Sequence, residues 1–162
     1  MEVDTKRVAG RRKLKFANYD ELLADVHELA RVETRQLGNW SLGQVCLHLA
    51  KGMDTAIDGA PFSPSWLVRL VGPLFKKRVL ARGMTPGFRL PQRAGRLLPA
   101  ETSTAAGIAA LERAVERLRR ESARLPHAFF GKLSREEWDA LMLRHAELHL
   151  GFIVPDSASA TS

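Results

Sequence analysis

The sequence predicts an all-α fold, a four-helix bundle with a long crossover insertion between its second and third helices. Three observations predict it. Four segments carry apolar residues at helical spacing behind identifiable caps, no segment alternates apolar and polar residues as a half-buried strand does, and a Pro- and Gly-rich stretch at 60–101 separates the two helical pairs.

The first helix is predicted from about Asp20 to Arg31, with Leu22, Val26 and Leu29 on one face and acidic residues in the first turn. The second begins at Ser41, where "SLGQ" is a capping box: the Ser41 hydroxyl and the Gln44 side chain satisfy each other's free backbone donors. Its apolar face is Leu42, Val45, Leu49, Met53 and Ala56, and "DGAP" ends it. The third spans roughly Ser103 to Leu125 on Ile108, Leu111, Val115, Leu118 and Leu125, with Pro126 as its stop. The fourth opens on "SREE", a second capping box with Glu137, and ends by Pro155. The expected organisation is one domain over 1–155, with a basic N-terminal extension (1–16), a basic insertion (60–101) and a disordered tail (156–162). Within the insertion, "SPSWLVRLVGPLFKKRVL" is expected to form one or two short helices. An insertion this long more often serves as a lid or entry wall than as idle chain.

The chain has 162 residues and a formal net charge of +7. That length supports a substantial core without staples. No apolar run approaches the roughly 20 residues of a membrane span. The "GRRKLKF" stretch lacks the apolar segment of an export signal, because "ANYDELLADV" follows; a cytoplasmic protein is expected. The single cysteine, Cys46, excludes an internal disulfide and a Cys-rich zinc site and reads as an inert buried thiol. Basic charge is concentrated in 1–16 and in 61–100, where eight Lys/Arg stand without one acidic residue. Such segments attract anionic substrates, nucleic acid or membrane surfaces, and equally serve as solvated dressing.

"LMLRHAELHLGF" places His145 and His149 one helical turn apart on a face shared with Trp138, Leu141, Met142 and Phe152. His48 lies on or beside the inward stripe of the second helix, so three imidazoles from two helices can converge inside one bundle. Three neutral histidines with an open position form a recurrent catalytic metal arrangement, and buried histidines satisfied by hydrogen bonds are the plain alternative. "HAELH" is not the HExxH of zinc proteases; Glu147 falls on the far side of the helix and is expected in solvent.

"NWSLGQVCLHLA" (39–50) together with "RHAELHLGF" (144–152) resembles the DinB-like, or YfiT-like, superfamily of helical bundles: a tryptophan opens the second helix, an "HLA" histidine follows, and HxxxH lies in a later helix. "VDTKRVAGRRKLKF", "HAFFGKLSREEW" and the basic middle segment resemble an uncharacterised domain-of-unknown-function branch of it. The resemblance covers roughly Val3 to Pro155. It implies a divalent-metal site on His48, His145 and His149, the metal being zinc, nickel, manganese or iron. It also implies an enzyme that activates water or a low-molecular-weight thiol, as a hydrolase, thiol transferase or isomerase.

Other residues are weaker candidates. His127 is a general acid or base at the site mouth or, in the favoured reading, a loop-shaping residue that caps the third helix's carbonyls. Arg69, Arg78, Arg82 and Arg89 are substrate-binding candidates for a small anionic molecule if the insertion folds over the metal. Trp40 reads as a hydrophobic staple, Trp138 as core, His27 as exposed, and Gly43 and Gly52 as points of close helix approach. No nucleic-acid-binding motif appears, so nucleic acid is not the expected partner; the oligomeric state is not fixed by the sequence, although bundles of this kind often pair through exposed faces, which admits a homodimer. The reading of another class is a basic module for nucleic acid or anionic surfaces with structural histidines; a third is a metal-clamped bundle without catalysis.

Overall fold

The computed structural model describes residues 3–87 and 92–156. Arg89 and the tail beyond Asp156 therefore lie outside the described residues. Among those described are five helices and one small sheet: α1 (Tyr19–Leu29), β1 (Thr34–Gln36), α2 (Leu42–Asp58), α3 (Trp66–Arg82), α4 (Thr104–Arg120), α5 (Arg135–Leu150) and β2 (Ile153–Pro155). Short 3-10 turns occupy Thr5–Arg7 and Gln92–Leu97. The helical class is as the sequence predicts. The four expected helices are α1, α2, α4 and α5, and the insertion supplies α3.

The caps work as read. Ser41 accepts from the Gln44 N–H while Gln44 accepts from the Ser41 N–H, and Ser134 and Glu137 repeat the exchange. Asn18 caps α1 through the Glu21 N–H. One core joins Leu22 and Val26 of α1, Leu49 and Met53 of α2, Leu111 and Leu118 of α4, and Trp138 and Leu141 of α5. Each such fully buried aliphatic side chain contributes about 1.5–3 kcal/mol. α2 and α4 meet backbone to backbone. A Cβ on Gly43 would stand 2.6 Å from the Ser103 carbonyl oxygen, and one on Gly107 would run into the Gly43 carbonyl.

Three local expectations change. α4 stops at Arg120 rather than Leu125, because the Arg124 guanidinium donates to the carbonyls of Leu118 and Glu121, and Arg135 donates to those of Leu118 and Arg119. Pro126 also pushes Leu125 out of helical geometry. Leu125 is consequently exposed at its side chain, and its N–H donates to Ala56. α5 ends at Leu150, and Ile153–Pro155 pairs antiparallel with Thr34–Gln36 instead of continuing the helix. Three-residue strands are too short to show alternation, which hid both from the sequence.

The third change concerns Glu147. It is nearly buried (11% side-chain exposure), accepting from the Phe16 N–H at 2.7 Å and pairing with Arg144 at 2.7 Å, while Arg144 also donates to the Phe16 carbonyl. The N-terminal segment is thus laced to α5. Arg12 adds an ion pair with Asp25, and Arg11 donates to the Leu148 carbonyl and lies over the Phe152 ring. Part of the basic extension serves the fold internally.

Candidate metal centre

His48, His145 and His149 come together. One ring nitrogen from each lies within 4.8 Å of the others, and their centroids are 4.6–4.9 Å apart with the rings edge to face. The helices explain the placement: α5 stacks His145 and His149 on successive turns, and α2 presents His48 opposite them. Gly52 of α2 clears room for one ring. A Cβ there would stand 3.3 Å from His145 Cε1, so this glycine accommodates a histidine rather than a helix.

His48 is 4% exposed, and its Nδ1 lies 2.8 Å from the Leu97 carbonyl oxygen. A carbonyl only accepts, so Nδ1 carries the proton and Nε2 presents its lone pair. That lone pair accepts from His145, whose Nε2 stands 3.1 Å away and, since His48 Nε2 carries no proton, is the donor. Two nitrogens bound side by side at zinc, each at 2.0–2.1 Å, are separated by about 2.9–3.4 Å, so the pair already has the spacing of neighbouring ligands. The Leu97 carbonyl is the kind of outer partner that orients a metal-binding histidine. It comes from the insertion, whose return across α2 is also held by Lys51 donating to the Leu98 carbonyl.

Burial holds all three imidazoles below their ordinary pKa. Burial dominates at His48, partly countered by the Leu97 hydrogen bond. His145 is pushed down to about 3 by burial first and then by His48 and His127. His149 is held well below the ordinary value by burial, its two histidine neighbours and Arg11. Neutral imidazoles are the form that binds a metal. Trp40 completes the wall, stacked on His149 (centroids 5.2 Å, planes 22° apart) and tilted against His48 at 4.7 Å. Read from sequence as a staple, Trp40 packs against the core and also lies over two of the site's imidazoles.

His127 shapes its loop, but by a different contact from a helix cap. Its Nδ1 accepts from the Phe129 and Phe130 N–H groups at 3.2 Å, and its backbone pairs with Gly131. Burial lowers its pKa to about 4. With Nδ1 accepting, the proton sits on Nε2, so the neutral ring can donate from that atom but cannot take up a proton there. His127 and Arg69 line one cleft of about 330 Å³ with Phe62 and Pro126. A smaller hollow of about 50 Å³ shares His127 and Phe62 and reaches Thr55, Trp138 and Leu97, the residue that orients His48. Arg78 and Arg82 line neither and are exposed on α3. Cys46 is fully buried, its thiol pushed up to about 12 by burial, and Trp138 is core, donating from Nε1 to the Leu125 carbonyl. His27 lies at the surface, 3.0 Å from Glu112.

No helix among the described residues is long and apolar enough to cross a membrane. The three histidines could hold a metal ion, and among the described residues no carboxylate joins the set. No curated protein and no solved structure matches the chain. The family described as "Protein of unknown function (DUF1569)" matches residues 8–156, and the chain belongs to that family.

Proposed function

We propose that the protein is a divalent-metal-dependent enzyme of the DinB-like type, with His48, His145 and His149 as ligands and at least one position left for water or substrate. The observation that carries this reading is the convergence of three neutral imidazoles, with one lone pair fixed toward the cluster by Leu97. An all-imidazole set suits zinc, nickel or ferrous iron better than magnesium, calcium or manganese. Bound there, such an ion lowers the pKa of a water or thiol in the free position, to about 7 for a zinc-held water. Hydrolysis, thiol transfer and isomerisation are the reaction classes this supports.

The chain's own residues do the rest. Leu97 holds the His48 tautomer, Gly52 gives His145 its place, and Trp40 restrains His149 and keeps bulk water off one side. Arg69, in the cleft with His127, is the candidate anchor for an anionic small molecule, and His127 Nε2 the candidate donor beside it. A cytoplasmic setting and a single domain over 1–155 belong to the same reading.

Elemental mass spectrometry of untagged protein tests it. Wild type is expected to hold one divalent ion per chain and His145→Ala almost none, with both giving the same helical circular dichroism. Absence of metal after reloading with zinc, nickel and ferrous iron would make the histidines structural. A stably bound ion with no accessible position would leave a clamp without catalysis.

A further inference from the structure

α3 turns most of its large apolar side chains away from the protein. Trp66 is 74% exposed and Leu74 78%, with Leu67, Leu70 and Phe75 each more than half exposed. The side of the helix that meets the rest of the molecule is instead Gly72 against the Phe129 backbone, Lys76 paired with Glu137 at 2.8 Å, and Val79 and Leu80 against the core. Trp66, Leu70 and Leu74 are spaced i, i+4, i+8, and Leu67, Val71 and Phe75 run beside them, so the exposed residues form one continuous ridge. Isolated surface leucines need no partner, but a contiguous apolar ridge marks an interaction surface.

We propose that α3 docks on an anionic lipid bilayer, lying in the plane of the headgroups. Charge selects this occupant. Residues 61–100 contain eight Lys/Arg and no acidic residue, and Lys77, Arg78 and Arg82 are exposed on α3 itself. A second copy docked ridge to ridge would set these cations against their equivalents with no carboxylate from the segment to neutralise them. Nucleic acid would neutralise them and offer bases to stack on Trp66 and Phe75, but it would leave the aliphatic majority of the ridge, Leu67, Leu70, Val71 and Leu74, in water. An anionic bilayer takes both: the ridge enters the acyl boundary, the cations meet the headgroups, and Trp66 suits the interface itself. α3 cannot span the membrane, so it lies on it. The surface is separate from the histidine cluster, and the proposal stands whether or not the cluster binds metal.

The test is flotation of the full chain with phosphatidylserine–phosphatidylcholine vesicles and with phosphatidylcholine vesicles alone, with Trp66 emission read in parallel. Wild type is expected to float with the anionic vesicles, to detach as salt is raised, and to show a blue shift that disappears in Trp66→Phe. The double variant Leu70→Glu/Leu74→Glu, at exposed positions, is expected to keep the wild-type melting temperature and lose about tenfold or more in partitioning. The pair Lys77→Ser/Arg78→Ser tests the charge independently and should lose about tenfold. The proposal is overturned if the anionic vesicles leave the protein in solution, or if both lipid compositions bind it equally. It is overturned equally by an α3-dependent dimer or nucleic-acid complex formed by a chain that ignores the vesicles.

Discussion

α2 and α3 are both 17-residue helices, yet they stand in opposite relations to the fold. α2 opens on a capping box, buries nine residues and carries His48. α3 has no side-chain cap at Ser65, holds Pro73 in its interior and buries no residue. An internal proline removes a backbone donor and crowds the preceding turn, a cost of about 3 kcal/mol in an ordinary helix. The fold holds α2 by its core and α3 by a few contacts, namely Gly72, Lys76 and the Val79–Leu80 end. The lesson is that apolar content does not report burial. α2's apolar residues fill the interior, whereas most of α3's, apart from Val79 and Leu80, are presented outward.

That contrast can be broken or sharpened by substitution. The largest effect is expected where α5 meets the N-terminal segment. Arg144→Ala leaves Glu147 a nearly buried unpaired carboxylate and should destabilise by about 3–5 kcal/mol in a denaturant melt. Gly107→Ala drives a methyl group into the Gly43 carbonyl and should cost about 2–3 kcal/mol, because neither backbone can retreat without moving a whole helix.

A pH effect of similar size belongs to His127. Its folded pKa, about 4, lies below the unfolded value near 6.5, so between these values the unfolded chain binds more protons. Stability is therefore full above pH 6.5 and falls by about 2–3 kcal/mol as pH drops toward 4. His127→Asn, which keeps an acceptor for the Phe129 and Phe130 N–H groups, should shed that share of the pH dependence. The smallest effect is expected on α3. Leu74→Ala should change stability by no more than about 0.5 kcal/mol, and a loss like that of a core leucine would show that the ridge is covered in solution.

Much of this was legible in the sequence because it is local. Both capping boxes, the apolar stripes of α1, α2 and α4, and the three histidines follow from spacing within one helix at a time. What was hidden depends on contacts distant in sequence. Glu147 looks solvated by helical position, and what hides it is the N-terminal segment: Phe16, 131 residues away, donates its N–H to the carboxylate, which Arg144 also pairs. The end of α4 is set by Arg135 from the next helix, and the strand pair joins segments from opposite ends of the chain. Trp40 preceding a cap suggests a staple, and nothing local says that two histidines will lie beneath it. Leu97 orients His48 from a turn with no periodic signal.

His48, His145 and His149 are expected to hold one ion together and leave it a free position. X-ray absorption at the metal edge of zinc-loaded protein tests this most directly. Three imidazole nitrogens at about 2.0–2.1 Å plus at least one light-atom ligand not supplied by the chain are expected, and two imidazoles after His48→Ala. Fewer than three imidazoles in the wild type, or a shell completed wholly by protein groups, would contradict it.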